Sequence, residues 1–197
     1  LIQQPDDQQT HTVAFLSRPG TYGATGPVAR LDTHISHLFL VGDRAYKLKR
    51  AVRFPYLDFS TPALRRRTCR AEIAVNRRTA PDLYLGVIPV LRDADGSLAL
   101  GALGEGDGDT DAVDWLVVMQ RFDQDDLFDA MAQRGALDAK MIVRLADVIA
   151  TFHEDARPTP GFGGGEGIGR VITGNAEQMG GAAPSVFDPA SVDRLAT

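Results

Sequence analysis

The sequence predicts an α+β fold in which a five-stranded antiparallel sheet precedes a series of helices. Three observations lead there. Between Val28 and Lys49, three short apolar runs follow one another with only tight polar turns between them. Two more strand-like runs, Leu85–Leu91 and Trp115–Gln120, come after a single helical segment. Beyond Gln120 the apolar residues recur with the 3.6-residue period of helices.

Residues Leu1–Thr12 are polar and are expected to be loose. A short helix is expected to begin at Val13–Leu16, and Arg18–Pro27 is a Gly/Pro-rich loop. Val28–Asp32 forms the first strand, Thr33–Ser36 a polar turn, and His37–Val41 the second strand. Gly42-Asp43 makes a tight turn into Arg44–Lys49, the third strand. Asp58–Ala80 reads as a helix, with Thr61-Pro62 as an N-cap and first-turn signature. Leu64, Thr68, Glu72 and Val75 share one face at spacings of four, four and three. That puts Glu72 on the inward side, while arginines 65, 66, 67, 70, 77 and 78 mostly cover the rest of the surface. The two later strands are joined by an acidic excursion through Asp107, Asp109 and Asp111.

Asp125–Gln133 opens the helical region, and Asp138–Glu154 is the clearest helix. Its residues Met141, Ile142, Leu145, Val148, Ile149 and Phe152 make a stripe expected to be buried. GFGGGEGIG is read as a loop and Ile168–Met179 as a further helix. The divisions are residues 1–27 as a lead-in, 28–122 as the sheet-bearing part, and 123–197 as the helical part.

Composition narrows the function classes. At 44% hydrophobic and 24% charged, the 197-residue chain is an ordinary water-soluble composition. The net charge of −5 argues against nucleic acid as the main partner. A single cysteine, Cys69, excludes an intrachain disulfide and fits a reducing cytoplasm. The four histidines and Cys69 show no zinc spacing, and no apolar run approaches a membrane span. The chain opens at Leu1 and closes on DPASVDRLAT, the start of a helical pattern, so a longer parent protein is expected.

The candidate site is built around RAYKLK. A lysine within a short apolar strand and a glutamate on the following helix form half of a kinase nucleotide site: the lysine charges the phosphate end and the glutamate holds it in place. Lys47 and Lys49 share one strand face. Lys47 is preferred because it follows the apolar pair Ala45-Tyr46, and an edge strand with two solvated lysines is the alternative. Glu72 is the partner, against the ordinary role of a surface helix carboxylate. His34 and Ser36 lie in the turn that would cover phosphates, through backbone amides and the Ser36 hydroxyl. It has no G-x-G-x-x-G pattern. Gln120, Arg121 and Phe122 leave an apolar strand and are candidates for a hinge that meets an adenine edge.

Other motifs carry less. Asp107–Asp111 mimics the start of a calcium loop, but Ala112 and Val118 occupy the glycine and glutamate positions. GFGGGEGIG lacks the GK[ST] of a phosphate loop. Of the 21 basic residues, 11 lie between Arg44 and Arg78. They have few aromatics among them, which argues for a solvated face over a nucleic-acid surface.

THISHLFLVGDRAYKLKRAVRFPYLDFST, RRRTCRAEIAVNRRTAPDLYLGVIPV, FHEDA and GFGGGEGI together resemble the N-terminal domain of bacterial bifunctional aminoglycoside phosphotransferase/ATP-binding proteins. The resemblance runs from about Val13 to the end of the chain. It implies a kinase-like, aminoglycoside-phosphotransferase-like fold with a five-stranded small lobe and the first helices of a large lobe. It implies ATP as cofactor, with Lys47 as nucleotide lysine and Glu72 as its partner, and a small-molecule hydroxyl as acceptor. The H-G-D-L-H-x-x-N catalytic loop, the aspartate for Mg²⁺ and a P-loop domain are implied after Thr197. No catalytic residue is expected within the chain, which alone is expected to be inactive. The alternative is a non-catalytic nucleotide-binding or regulatory module, and a third reading is a basic helix that meets RNA or an acidic protein.

Overall fold

The computed structural model describes residues 9–106, 112–183 and 185–196. The chain divides into two compact units, Leu1–Ala139 and Lys140–Thr197. The loose segment expected before Gln9 and the acidic excursion at 107–111 lie outside the described residues.

The first unit is α+β. It starts with helix α1 (Thr10–Leu16) and a 3₁₀ turn at Pro19–Tyr22. Strands β1 (Ala29–Asp32), β2 (Ser36–Val41) and β3 (Arg44–Lys49) follow as consecutive antiparallel hairpins. Gly42 takes φ 56° at the first position of the β2–β3 turn, where a tight hairpin needs a residue without a Cβ. A two-stranded ribbon, β4 (Arg53–Phe54) and β5 (Leu57–Asp58), leads to helix α2 (Pro62–Asn76). Strands β6 (Tyr84–Arg92), β7 (Leu98–Leu100) and β8 (Asp114–Gln120) complete the sheet. Its order is β1-β2-β3-β8-β6-β7, with every pairing antiparallel. A short 3₁₀ turn and helix α3 (Phe128–Gln133) end the unit.

Alternation along the strands gives the sheet two apolar faces. On one, Ala45, Val87, Trp115, Val117 and Met119 pack against Cys69 and Ile73 of α2. On the other, Phe39, Leu48, Ile88, Leu116 and Val118 pack with Leu16 of α1, joined by Val13, Phe15 and Tyr22. Burying both faces is what lets β8 read as a continuous apolar run.

Several expectations are corrected. The sheet has six strands rather than five, because β7 pairs with β6 from within the segment read as an excursion. The helix starts at Pro62 rather than Asp58. Thr61 Oγ1 accepts from the Leu64 N–H at 3.2 Å, and Asp58 is held in the β4–β5 ribbon opposite Arg53. The buried face of α2 is Arg65, Cys69 and Ile73, whereas Val75 is 60% exposed. The face is rotated because Arg65, read as surface cover, has a buried acidic partner. Gln9 and Thr12 are buried rather than loose, for Gln9 bonds into the sheet.

The second unit consists of α4 (Ala139–Glu154), α5 (Gly164–Ala182) and α6 (Pro189–Ala196), with α5 against α6. The α4 stripe is not the buried face expected. Ile142, Leu145, Val148 and Ile149 are exposed, since an amphipathic helix buries its stripe only where another element covers it. The glycine-rich stretch is also only partly loop, as α5 begins at Gly164. Among the described residues, no helix is long and apolar enough to cross a membrane.

Candidate functional site

The site lies on the α2 side of the first unit. Strand alternation sends Ala45, Lys47 and Lys49 to that face, with Leu38 and Leu40 opposite them on β2. Glu72 comes from the middle of α2, and its two oxygens are divided between the lysines. Lys47 Nζ donates to Oε1 at 3.0 Å and Lys49 Nζ to Oε2 at 2.5 Å. Lys47 is 27% exposed, Lys49 only 4% and Glu72 13%. Burial pushes the Glu72 carboxyl up, but the charges and hydrogen bonds of Lys49 and Lys47 outweigh it and leave the group below the usual carboxylate range.

A buried network fixes α2 against the sheet. Arg65 Nε and Nη2 donate to the two carboxylate oxygens of Asp114 at 2.7 and 3.0 Å, and Nη1 donates to Phe59 O at 2.8 Å. Gln9 Nε2 adds a third contact to Asp114 at 2.7 Å and also donates to Lys49 O at 2.9 Å. Gln9 Oε1 accepts from the Ala51 N–H at 2.7 Å. Gln9, Arg65 and Asp114 were not found from sequence. An arginine in a basic run carries no local sign of its partner, which lies 49 residues away.

A cavity of about 520 Å³ is walled by Leu31, Leu38, Leu40, Ala45 and Met119, with the segment Gln120–Gln124 along one side, and neither the two lysines nor Glu72 line it. This segment is fixed: the Gln120 N–H donates to Leu83 O and the Arg121 N–H to Asp43 O, each at 2.8 Å. Those two amides are therefore taken, which narrows the expected hinge contact toward Phe122. A larger cavity of about 750 Å³ runs along another flank of α2 past Arg66, Arg67, Arg70 and Trp115, and neither Lys47 nor Glu72 lines it.

The turn residues are placed differently from each other. His34 is exposed, with its ring 6.5 Å from that of Phe54. Ser36 Oγ is buried and has no hydrogen-bond partner among the described residues, so the hydroxyl expected to meet phosphate is not presented at the turn surface. The turn is closed instead by Thr33, whose Oγ1 accepts from the Ser36 N–H at 3.0 Å.

Much of the basic run is engaged within the unit. Arg77 donates to Tyr84 O and Leu85 O and pairs with Glu105, and Arg66 donates to Gly106 O and lies over Trp115. Cys69 is buried, and burial pushes its thiol up to about 12, so it is no thiolate nucleophile. His37 is buried on the opposite face, and its Nδ1 lies 2.8 Å from Asp32 Oδ1. Among the described residues, no group of three His, Cys, Asp or Glu side chains is arranged to hold a metal ion.

Comparison with known proteins finds relatives that are themselves uncharacterized. The chain is 33% identical over 131 residues to uncharacterized proteins of Mycobacterium tuberculosis and Mycobacterium bovis, a match that covers 64% of this chain and 22% of each relative. The match thus spans about a fifth of the length of these relatives. No family model and no solved structure matches the chain.

Proposed function

We propose that the first unit is the nucleotide-holding part of an ATP-dependent phosphotransferase, a kinase-like, aminoglycoside-phosphotransferase-like small lobe. The observation that carries this reading is the Lys47–Glu72 pair at 3.0 Å, on a strand face whose Ala45 and Leu38, the latter opposite Lys47, also line an apolar cavity. The residues present fit a purine nucleotide. Leu31, Leu38, Leu40, Ala45 and Met119 offer apolar walls for a flat base, and the backbone after Gln120 offers a polar edge. Two lysines against one carboxylate leave one positive charge, which suits a polyphosphate.

ATP would supply the transferable phosphoryl group, to be passed to a small-molecule hydroxyl. The chain's own contribution is to bind and orient: Lys47 presents its ammonium to a phosphate oxygen, and Glu72 holds that ammonium at the sheet face until ligand arrives. Mg²⁺ ligands and the catalytic acid or base belong, on this reading, to other segments of a longer protein, as does a P-loop domain. The site's described carboxylates, Glu72 and Asp114, are both engaged in ion pairs, and this favours as a second reading a nucleotide-binding module that regulates an attached domain.

The test is calorimetric titration of ATP into the chain and its Lys47→Ala variant. Saturable binding that Lys47→Ala weakens supports the reading. Absence of ATP binding by the folded wild-type chain overturns it.

A further inference from the structure

Lys49 is the more deeply buried of the two lysines on Glu72, and the nucleotide role gives it nothing to do. Its Nζ sits 2.5 Å from Glu72 Oε2 and 5.1 Å from the centre of the Phe59 ring. Its carbonyl accepts from Gln9. At 4% exposure it is walled in, whereas Lys47 on the other carboxylate oxygen keeps contact with solvent.

This division has an energetic consequence. A mostly buried carboxylate stripped of its partner is strongly penalised. If Lys47 were the one partner of Glu72, drawing its ammonium toward a ligand anion would strip the carboxylate. With Lys49 on the second oxygen, Lys47 can leave and Glu72 stays paired. Lys47, the exposed member, is the one free to exchange, and Lys49 is the one that stays.

We propose that Lys49 is a positioning residue: it holds Glu72, and with it α2, while Lys47 exchanges between Glu72 and an anionic group of the ligand. The identity of that ligand as a nucleotide rests on the function proposed above, and the division of the carboxylate does not.

The test uses the whole chain with Mg-ATP as the probe, read by calorimetry and by NMR of the lysine ammonium groups and the Glu72 carboxyl. In the wild type, saturating ATP should move the Lys47 ammonium signal and leave that of Lys49 in place. Lys49→Met should weaken ATP binding by about fivefold and raise the midpoint of Glu72 titration. Lys49→Arg should restore both, which loss of packing alone would not explain. The proposal is overturned if ATP moves Lys49 as much as Lys47. It is equally overturned if Lys49→Met binds ATP like the wild type with an unchanged Glu72 midpoint. Should Lys49→Met fail to fold, the wild-type ammonium comparison and Lys49→Arg decide the matter. If the wild-type chain binds no ATP, the nucleotide reading fails instead, and the Glu72 midpoint still tests Lys49. It should rise more in Lys49→Met than in Lys47→Ala, and the reverse order overturns the proposal.

Discussion

Lys47 Nζ and Glu72 Oε1 lie 3.0 Å apart across the space between β3 and α2, and the Arg65–Asp114 pair secures that spacing about two turns nearer the start of the helix. Position and support are separate. Glu72 meets the lysines, and Arg65 ties the same helix to the start of β8. The helix is therefore fixed at two points, and disturbing either should be felt at the other.

The first expectation concerns Lys47. A hydrogen bond to a charged group contributes about 1.5–3 kcal/mol. Lys47→Ala should accordingly lower ATP affinity roughly ten- to a hundredfold, since 1.4 kcal/mol is about a factor of ten. Lys49→Met, acting through Glu72, should cost less. Titration calorimetry on both variants checks this, and equal losses would place Lys47 and Lys49 in the same role.

Asp114→Ala should be among the most damaging substitutions in the chain. It leaves the Arg65 guanidinium buried without its carboxylate, and breaking such a pair costs about 3–5 kcal/mol. The double change Arg65→Met with Asp114→Leu should recover part of the loss, because it removes both buried charges. Thermal or urea unfolding of the three proteins measures this. A wild-type melting temperature for Asp114→Ala would show that α2 is held by other contacts.

Acidification should destabilise the first unit in two steps. Burial pushes His37 below its ordinary value, and this outweighs the pull of Asp32 in the other direction. Its folded form thus resists protonation more than the unfolded chain, and stability is lost as pH falls below about 6.5. The second step belongs to carboxyls held low. For Asp32 the Arg30 hydrogen bond sets a value of about 2, and for Glu72 the lysine charges outweigh burial. A depressed carboxyl stabilises above its unfolded value, about 4, and that contribution disappears as pH falls through the folded value. Urea midpoints followed from pH 8 to pH 3 should show both steps. His37→Gln should remove the upper one, and a Glu72→Gln variant, less stable at pH 7, should show a shallower lower one.

The parts legible in sequence were those with local signals. Gly42 in a two-residue turn, Thr61 before Pro62, and the alternation in RAYKLK each act within a few residues, and the structure places β2, β3 and the Thr61 cap accordingly, although the helix was expected from Asp58. What was hidden depends on distant partners. The inward face of α2 includes Arg65, which breaks the apolar pattern and is explained only by Asp114, 49 residues on. Gln9 looks like one of several polar residues near the start, and its role appears only where its side chain meets Lys49, Ala51 and Asp114. β7 has three residues, too few to show a period. Lys47 and Lys49 are equivalent by alternation, and only their unequal burial separates them.

The last expectation is that residues 1–197, purified free of contaminating kinases, do not catalyse phosphoryl transfer with turnover. A positioned acid or base contributes roughly 10²–10⁴-fold, and bound metal adds to that. The acids in the described site are already committed. Asp114 is buried beneath Arg65, and Glu72 is shared by two lysines and held ionised. Neither can take a proton from an acceptor without breaking the pairing that orders α2. Two carboxylates line the 520 Å³ cavity: Asp43, whose Oδ1 lies 3.6 Å from Arg44 Nε, and Asp123, whose Oδ1 accepts from the Asp125 N–H as a turn cap. Incubation with radiolabelled ATP and a panel of small hydroxyl acceptors should give no product beyond background. Activity should appear when the chain is assayed within a protein of the length of its relatives. Multiple turnovers by residues 1–197 alone would overturn the division of labour proposed here. Asp123→Asn and Asp43→Asn would then be the variants to make first, because both carboxylates line the cavity.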